Sequence, residues 1–136
     1  MESDLDSVYS PAGTCDAWLH QGLFHKVDGP AVVWANGTQE WWFKGKRHRT
    51  DGPAVIQANG TQEWWFKGKH HRTDGPACIW ESGGQEWWFK GKRHRTDGPA
   101  VVRSSGTREW WFNNKQYDQF TYWLMVNKSD DTLNNI

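Results

Sequence analysis

The sequence predicts a mainly β protein, an antiparallel β-meander of 23-residue hairpin repeats followed by a short C-terminal α-helix. The first observation is repetition: the segment Glu40–Ala54 returns at Glu63–Ala77 with one change and at Glu86–Ala100 with none. The second is a glycine-containing dipeptide in each copy, set between short runs rich in β-branched and aromatic residues. A fixed period of this length is typical of stacked supersecondary units, and such dipeptides mark hairpin turns.

The repeats cover residues 18–116, with units near 18–40, 41–63, 64–86 and 87–109 and a partial unit at 110–116. Residues 1–17 are acidic and lack periodicity, so we expect a flexible tail. Residues 117–128 are expected to form a capping helix, because Phe120, Trp123 and Leu124 follow helical spacing and Asp118 can act as the N-cap. Residues 129–136 are expected to form a polar tail.

Composition limits the possible functions. Sixteen basic and sixteen acidic residues cancel, so bulk charge recruits neither nucleic acid nor a membrane. The chain shows no signal peptide and no transmembrane run, and its two cysteines do not make a disulfide scaffold, so we expect a cytoplasmic protein. Cys78 stands where other repeats carry valine and is expected to be a small core residue.

The turns of the repeat are predicted from their dipeptides. Asn36-Gly37 is the strongest signal for a two-residue type I′ hairpin, which needs positive φ at both central residues. Its equivalents are Asn59-Gly60, Ser82-Gly83 and Ser105-Gly106. The sequence leaves the Lys44–Asp51 segment open: either Lys44-Gly45 forms a second tight turn, or the whole segment is a wide connection.

Two rows of tryptophans are predicted along the sheet. Equivalent residues of neighbouring repeats lie two strands, or about 9.6 Å, apart. Because adjacent strand residues point to opposite faces, the rows should lie on opposite sides. The rows are Trp41, Trp64, Trp87 and Trp110, and Trp42, Trp65, Trp88 and Trp111.

The unit resembles the MORN repeat, more closely its bacterial and viral variant. The resemblance covers about Trp18 to Lys115 and lies in a tryptophan three residues before a glycine, as in Trp42 and Gly45, with a glycine hairpin. It implies an elongated, twisted antiparallel sheet that acts as a protein-interaction or scaffolding element and is often dimeric. Membrane-lipid binding is attributed to some members, and certain bacterial relatives are described as possible antitoxins.

The repeated histidines and aspartates suggest a metal or acid–base site. Metal ligands must converge within about 2–2.6 Å of one ion, and identical residues two strands apart stand too far from one another. An active site also assigns distinct roles to its residues, whereas these units are nearly identical. We therefore expect no enzyme, no metal and no cofactor. The residues concerned are His48, His71 and His94 with Asp51, Asp74 and Asp97.

A basic cluster recurs in each connection and could form one edge that binds a partner or an anion. Its members are Lys44, Lys46, Arg47, Arg49, Lys67, Lys69, Arg72, Lys90, Lys92, Arg93 and Arg95. Such an edge could bind a polyanion, either nucleic acid or a phospholipid headgroup, with tryptophans stacking on bases. The competing interpretation is that repeated glutamates and turn aspartates pair with these cations across strands.

The sequence favours a non-catalytic protein-interaction or assembly module whose partner is a protein. Such a module could serve as a viral or bacterial accessory protein that binds or inhibits a host protein. Polyanion binding is the alternative. Aromatic rows on both faces of an open sheet leave more apolar surface than one short helix covers. We therefore expect a homodimer with Phe120, Trp123 and Leu124 at its contact.

Overall fold

The computed structural model describes the backbone of residues 6–134 and the side chains up to Lys128. It is mainly β, with antiparallel strands in hairpin-like meanders and one C-terminal helix. The elements are β1 (Asp6–Tyr9), β2 (Cys15–His20), β3 (Leu23–Phe24), β4 (Val32–Trp34), β5 (Gln39–Glu40), β6 (Trp42–Phe43), β7 (Lys46–Arg47), β8 (Val55–Ile56), β9 (Gln62–Glu63), β10 (Trp65–Phe66), β11 (Lys69–His70), β12 (Cys78–Ile79), β13 (Gln85–Glu86), β14 (Trp88–Phe89), β15 (Lys92–Arg93), β16 (Val101–Val102), β17 (Arg108–Phe112), β18 (Lys115–Tyr117) and α1 (Gln119–Asn134).

Each full repeat contributes two hairpins. The first hairpin, such as β8 with β9, enters a 12-stranded main sheet ordered β1-β2-β4-β5-β8-β9-β12-β13-β16-β17-β18, with β3 paired to β2. The second hairpin, such as β10 with β11, forms a two-stranded ladder of its own. The predicted antiparallel meander is therefore confirmed, and the sheet is not closed.

The second hairpins also bond to one another. The Gly68 amide donates to the carbonyl of Arg47 at 2.9 Å, and the Arg49 amide donates to the carbonyl of Trp65 at 3.2 Å. The same two bonds recur one unit later, from Gly91 to His70 and from Arg72 to Trp88. The second hairpins thus line up in register with the main sheet, so every repeat presents the same side chains at the same place.

The first hairpin turn differs from its predicted geometry. Gly60 has φ of +98°, but Asn59 is not in the positive-φ region. The Gly60 amide donates to the carbonyl of Gln57, and the Thr61 amide donates to Asn59 Oδ1, both at 2.9 Å. These bonds make a three-residue loop, a type I turn followed by a glycine bulge, because the asparagine side chain holds its own backbone in the turn.

The type I′ turn occurs at the second hairpin instead. Lys67 and Gly68 both have positive φ, at 50° and 82°, and join paired residues Phe66 and Lys69. The same holds at Lys44-Gly45, so the segment left open by the sequence begins with a tight turn. A loop of seven residues, 48–54, then leads to β8.

The interior of the sheet is made of small residues. The alanines that follow each Gly-Pro are fully buried, at 0% exposure. The next residue in each unit is also buried: Val32, Val55, Cys78 and Val101. The tryptophans of both rows are half-buried. The small residues let the strands pack closely, and the indoles cover this narrow core from outside.

Both ends of the chain are more ordered than predicted. Residues 6–9 and 15–20 are strands that pair with each other, because the sheet offers an unpaired edge beside β4, so only part of the expected tail is loop; residues 1–5 lie outside the described part. Asp118 caps the helix as predicted, accepting the Thr121 amide at 2.8 Å. The helix continues to Asn134, beyond the expected end at residue 128, so most of the polar tail is helical.

Candidate functional site

A glutamate that recurs from repeat to repeat accepts hydrogen bonds from several side chains. Glu86 accepts the indole N–H groups of Trp80 and Trp88, each at 3.0 Å, and Nη2 of Arg93 at 3.4 Å. Glu40 makes the same set of bonds two periods earlier, and is 8% exposed. Buried carboxylates need such donors, so the repeated glutamate ties the first hairpin to the second.

The loop between successive units is held by an arginine. Arg72 lies over the ring of Trp64 at 3.8 Å, donates from Nε to Asp74 at 2.8 Å, and donates from Nη1 to the carbonyl of Pro76 at 3.0 Å. Hydrogen bonding to Arg72 and its charge lower the pKa of Asp74. Arg49 and Arg95 repeat these contacts. We refer to residues 49–52, 72–75 and 95–98 as the arginine loops.

Three clefts lie beside the arginine loops: two lie between successive arginine loops, and one lies between residues 26–29 and the first arginine loop. The central cleft, of about 540 Å³, is walled by residues 49–52 and 72–74 and floored by Trp64 and Phe66. Equivalent clefts of about 580 Å³ lie on either side of it. Each combines aromatic rings with the polar edges of two loops, the usual chemistry of a binding pocket. The geometry therefore repeats one cleft at three successive positions.

The next cleft position along the array is filled by the chain itself. Tyr122, on α1, is fully buried at 0% exposure and lies beside residues 95–98. Its hydroxyl donates to the carbonyl of Arg95 and accepts the Gly98 amide at 3.4 Å. Burial raises the pKa of this hydroxyl. A tyrosine side chain therefore occupies the site that the open clefts offer in earlier units.

The repeated histidines join neighbouring second hairpins. Nδ1 of His71 accepts the Lys90 amide at 2.9 Å, and the ring lies between those of Phe66 and Phe89. Burial, with a smaller contribution from Lys90, lowers the pKa of His71. His48 and His94 accept equivalent amides. An acceptor at Nδ1 requires the neutral imidazole, so these residues stabilise the array through hydrogen bonds.

The predicted basic edge divides into two groups. Arg47 and Arg93 bond to the repeated glutamates, as the cross-strand interpretation expects. Arg49, Arg72 and Arg95 also bond to aspartates, but each of these pairs lies within one loop and not across strands. The lysines are instead exposed at the tips of the second hairpins. They are Lys44, Lys46, Lys67, Lys69, Lys90 and Lys92. The lysines, and not the arginines, are therefore the groups that could meet an anionic partner.

The predicted dimer residues differ in their exposure to solvent. Phe120 and Leu124 are 73% and 55% exposed. Trp123 is half-buried and makes an edge contact with Tyr122 at 5.1 Å between ring centroids. Tyr122 was missed by the sequence analysis, although its position next to Trp123 on a short helix could have indicated that this helix docks through an aromatic pair.

A second group that sequence reasoning missed is Glu63, His70 and Cys78. One ligand atom from each lies within 4.8 Å of the other two. Equivalent residues of successive repeats stand too far apart to share one ion, whereas these three residues occupy different positions in the repeat. Donors of these three types can hold a transition metal.

None of the protein-family models, curated protein sequences or solved structures matches this chain. Among the described residues, no helix has both the length and the apolar character needed to cross a membrane.

Proposed function

We propose that this chain is a non-catalytic protein-interaction module, built from MORN-like repeats, that binds a protein partner through its three open clefts. The observation that supports this most directly is Tyr122, which fills the equivalent position at the end of the array. The partner's groups would be aromatic side chains with a polar tip. An accessory protein that binds or inhibits a host protein would use such a surface.

The backbone groups that hold Tyr122 are repeated at the open clefts. Arg72 and Gly75 stand where Arg95 and Gly98 stand, one period earlier, and line the cleft floored by Trp87 and Phe89. An incoming tyrosine would therefore find a carbonyl acceptor, an amide donor and an aromatic floor. Buried aromatics of this kind contribute most of the energy in many interfaces.

The spacing of the clefts favours a partner with several aromatic residues. Successive clefts lie two strands apart, which is about 9.6 Å. A partner segment that places aromatic side chains at this interval engages neighbouring clefts at once, and multivalency then raises its affinity. Nearly identical clefts suit this use, whereas catalysis needs groups with distinct roles.

Selection from a displayed library of random peptides tests this proposal. The blocked variant is Thr50→Phe with Thr73→Phe, because these two exposed residues together line all three clefts. The control is Ser104→Phe. Ser104 is exposed, and the equivalent position one repeat earlier carries the larger side chain of Glu81. We expect tyrosine-containing peptides that bind the wild type and the control but not the blocked variant. Peptides that bind all three proteins equally would contradict the proposal.

A second candidate is polyanion binding, with nucleic acid or a phospholipid headgroup at the lysine tips. Six exposed lysines in two rows support it. Binding to single-stranded DNA should then weaken steeply with salt, because phosphate contacts release counterions. Replacing Lys67 and Lys69 by serine should reduce that slope. Affinity that does not change with salt would reject this candidate.

We also propose that the chain forms a homodimer through its helix, because the apolar side chains of Phe120 and Leu124 are exposed to solvent. Light scattering coupled to size exclusion should give twice the chain mass of 15.9 kDa, and Phe120→Ser with Leu124→Ser should halve it. A wild-type mass near one chain at micromolar concentration would rule the dimer out.

Cytoplasmic location is likewise proposed, since Cys15 and Cys78 are both unpaired thiols.

A further inference from the structure

Three departures from the repeat consensus meet at one place in the structure. His70 stands where Arg47 and Arg93 stand in the neighbouring units. Cys78 replaces a valine, and Gln57 stands where Trp34 and Trp80 are found. All three lie against Glu63. In a chain whose repeats are otherwise so similar, departures that converge on one carboxylate indicate a local site.

The backbone brings these residues together from three strands. Cys78 on β12 and Glu63 on β9 are register partners in the main sheet. His70 lies on β11, and its Nε2 is 3.0 Å from Glu63 Oε1. The ligand atoms of the three residues all lie within 4.8 Å of one another. The cluster is thus fixed by sheet register and does not depend on a loop.

We propose that Glu63, His70 and Cys78 form a binding site for a divalent transition metal of the zinc class. Zinc takes thiolate, imidazole and carboxylate ligands at about 2.0–2.3 Å, which places the ligand atoms about 3.5 Å apart in a tetrahedron. The His70–Glu63 separation already falls below that value. Since no two ligand atoms lie more than 4.8 Å apart, the thiolate needs to approach by at most about 1.3 Å.

The substitutions change the charge of the site in the direction a metal requires. At the equivalent place one unit earlier, Arg47 supplies a permanent cation to Glu40 at 3.3 Å. His70 removes that cation and offers a nitrogen lone pair. Glu63 and the Cys78 thiolate together carry two negative charges, which balance the metal. The thiol proton passes to water as the metal–sulfur bond forms, and the imidazole takes the tautomer with its proton on Nδ1, so that Nε2, which faces Glu63 Oε1, is free to bind the metal.

The surroundings hold the ligands in place. The His70 ring lies between Trp65, at 3.8 Å, and Trp88, at 5.3 Å, which fixes its orientation. Cys78 is 1% exposed. Burial and the nearby carboxylates raise the pKa of its thiol, so in the absence of a cation the group stays a thiol. A bound metal reverses that preference.

Gln57 stands beside the carboxylate and would supply the fourth coordination position. The Gln57 amide touches Glu63 Oε2 at 3.1 Å, so its carbonyl oxygen or a water can complete the tetrahedron. The His70 side chain is 23% exposed and provides the route by which the ion enters. Three protein ligands with one exchangeable position is a common zinc arrangement.

Titration of the full chain with Co²⁺, a spectroscopic substitute for zinc, tests the proposal. We expect one equivalent to bind with the visible bands of a tetrahedral site and a thiolate-to-cobalt charge-transfer band, and Zn²⁺ to displace it. Cys78→Val and His70→Arg restore residues found in other units, so both variants should fold. Each should weaken binding by about a hundredfold or more, since each removes a direct ligand.

Cys15→Ser is the control, because it removes the other thiol and leaves the cluster intact. It should bind Co²⁺ like the wild type and keep the charge-transfer band. Zn²⁺ should raise the melting temperature of the wild type and of Cys15→Ser, but not that of Cys78→Val. A wild-type spectrum without the thiolate band, or equal affinity in Cys78→Val, would overturn the proposal. The cleft experiment does not involve these residues, so its outcome is independent.

Discussion

Replacing Glu86 by glutamine should be the most informative single change in the array. Its carboxylate accepts the indole N–H groups of Trp80 and Trp88 and Nη2 of Arg93. The side chain is only 14% exposed, so water cannot easily replace these donors. Glutamine keeps the shape of the side chain but removes the charge and turns one acceptor into a donor.

The expected loss follows from these bonds. One amide oxygen can still accept a hydrogen bond, but the amide NH₂ now faces a donor that it cannot satisfy. Losing one charge-assisted bond costs about 1.5–3 kcal/mol, and an unsatisfied buried donor costs about 1–3 kcal/mol. Part of that loss is recovered by small shifts, so we expect about 3 kcal/mol in the free energy of unfolding. For a chain of this length, the melting temperature should fall by about 10 °C.

Chemical denaturation of the variant beside Glu81→Gln measures this. Glu81 is exposed, lies five residues away and undergoes the same chemical change, so its variant should stay within about 0.5 kcal/mol of the wild type. If Glu86→Gln also stays within that range, the repeated glutamate does not organise the two hairpins. Other contacts would then have to hold the first and second hairpins together.

Three further outcomes follow from the turns, the arginine loops and the histidines. Gly60→Val should cost at least about 1 kcal/mol in melting experiments, because φ of +98° strains a β-branched residue; an unchanged melting curve would refute the turn assignment. Arg72→Ser should lower the free energy of unfolding by about 2 kcal/mol, because Arg72 lies over an indole and bonds to the loop. Lys67→Ser with Lys69→Ser should lower it by less than about 0.5 kcal/mol. Equal effects would contradict the division of the basic residues into paired arginines and exposed lysines. Burial and a nearby lysine lower the pKa of His71, so its contribution to stability is present above about pH 6.5 and is lost as pH falls through the folded-state pKa. Replacing His48, His71 and His94 by asparagine should therefore flatten the decline in stability between about pH 7 and 5. An unchanged slope would refute the role of these histidines.

Repetition explains how much of the fold the sequence could predict. The 23-residue period, the β-rich runs and the glycine turns all specify an antiparallel meander, and the structure has one. Asp118 was identifiable as a helix cap because capping is local. Features set by neighbouring residues along the chain were therefore accessible.

One local feature and the features set by distant residues were not accessible in this way. The turn at Asn59 takes type I geometry because its side chain bonds to Thr61, a competing local bond that the dipeptide rule does not include. Tyr122 reaches a loop 24 residues earlier, which depends on how the helix packs. Glu63 and Cys78 become neighbours through strand register, and register was not fixed by the sequence.

The way the glutamate site varies shows how such an array acquires local function. In the first unit, Ala17 replaces the glutamate and is buried, and Leu19 and Phe24 replace its tryptophan and arginine partners. All the polar members are exchanged together, because one buried donor left without its acceptor would be costly. At Glu63 the acceptor stays while Gln57 and His70 replace two of its donors, and both bond to it. The carboxylate of Glu63 therefore keeps its place while its donors are exchanged, and a carboxylate that gains an imidazole and a thiol beside it belongs to a site with ligands for a metal.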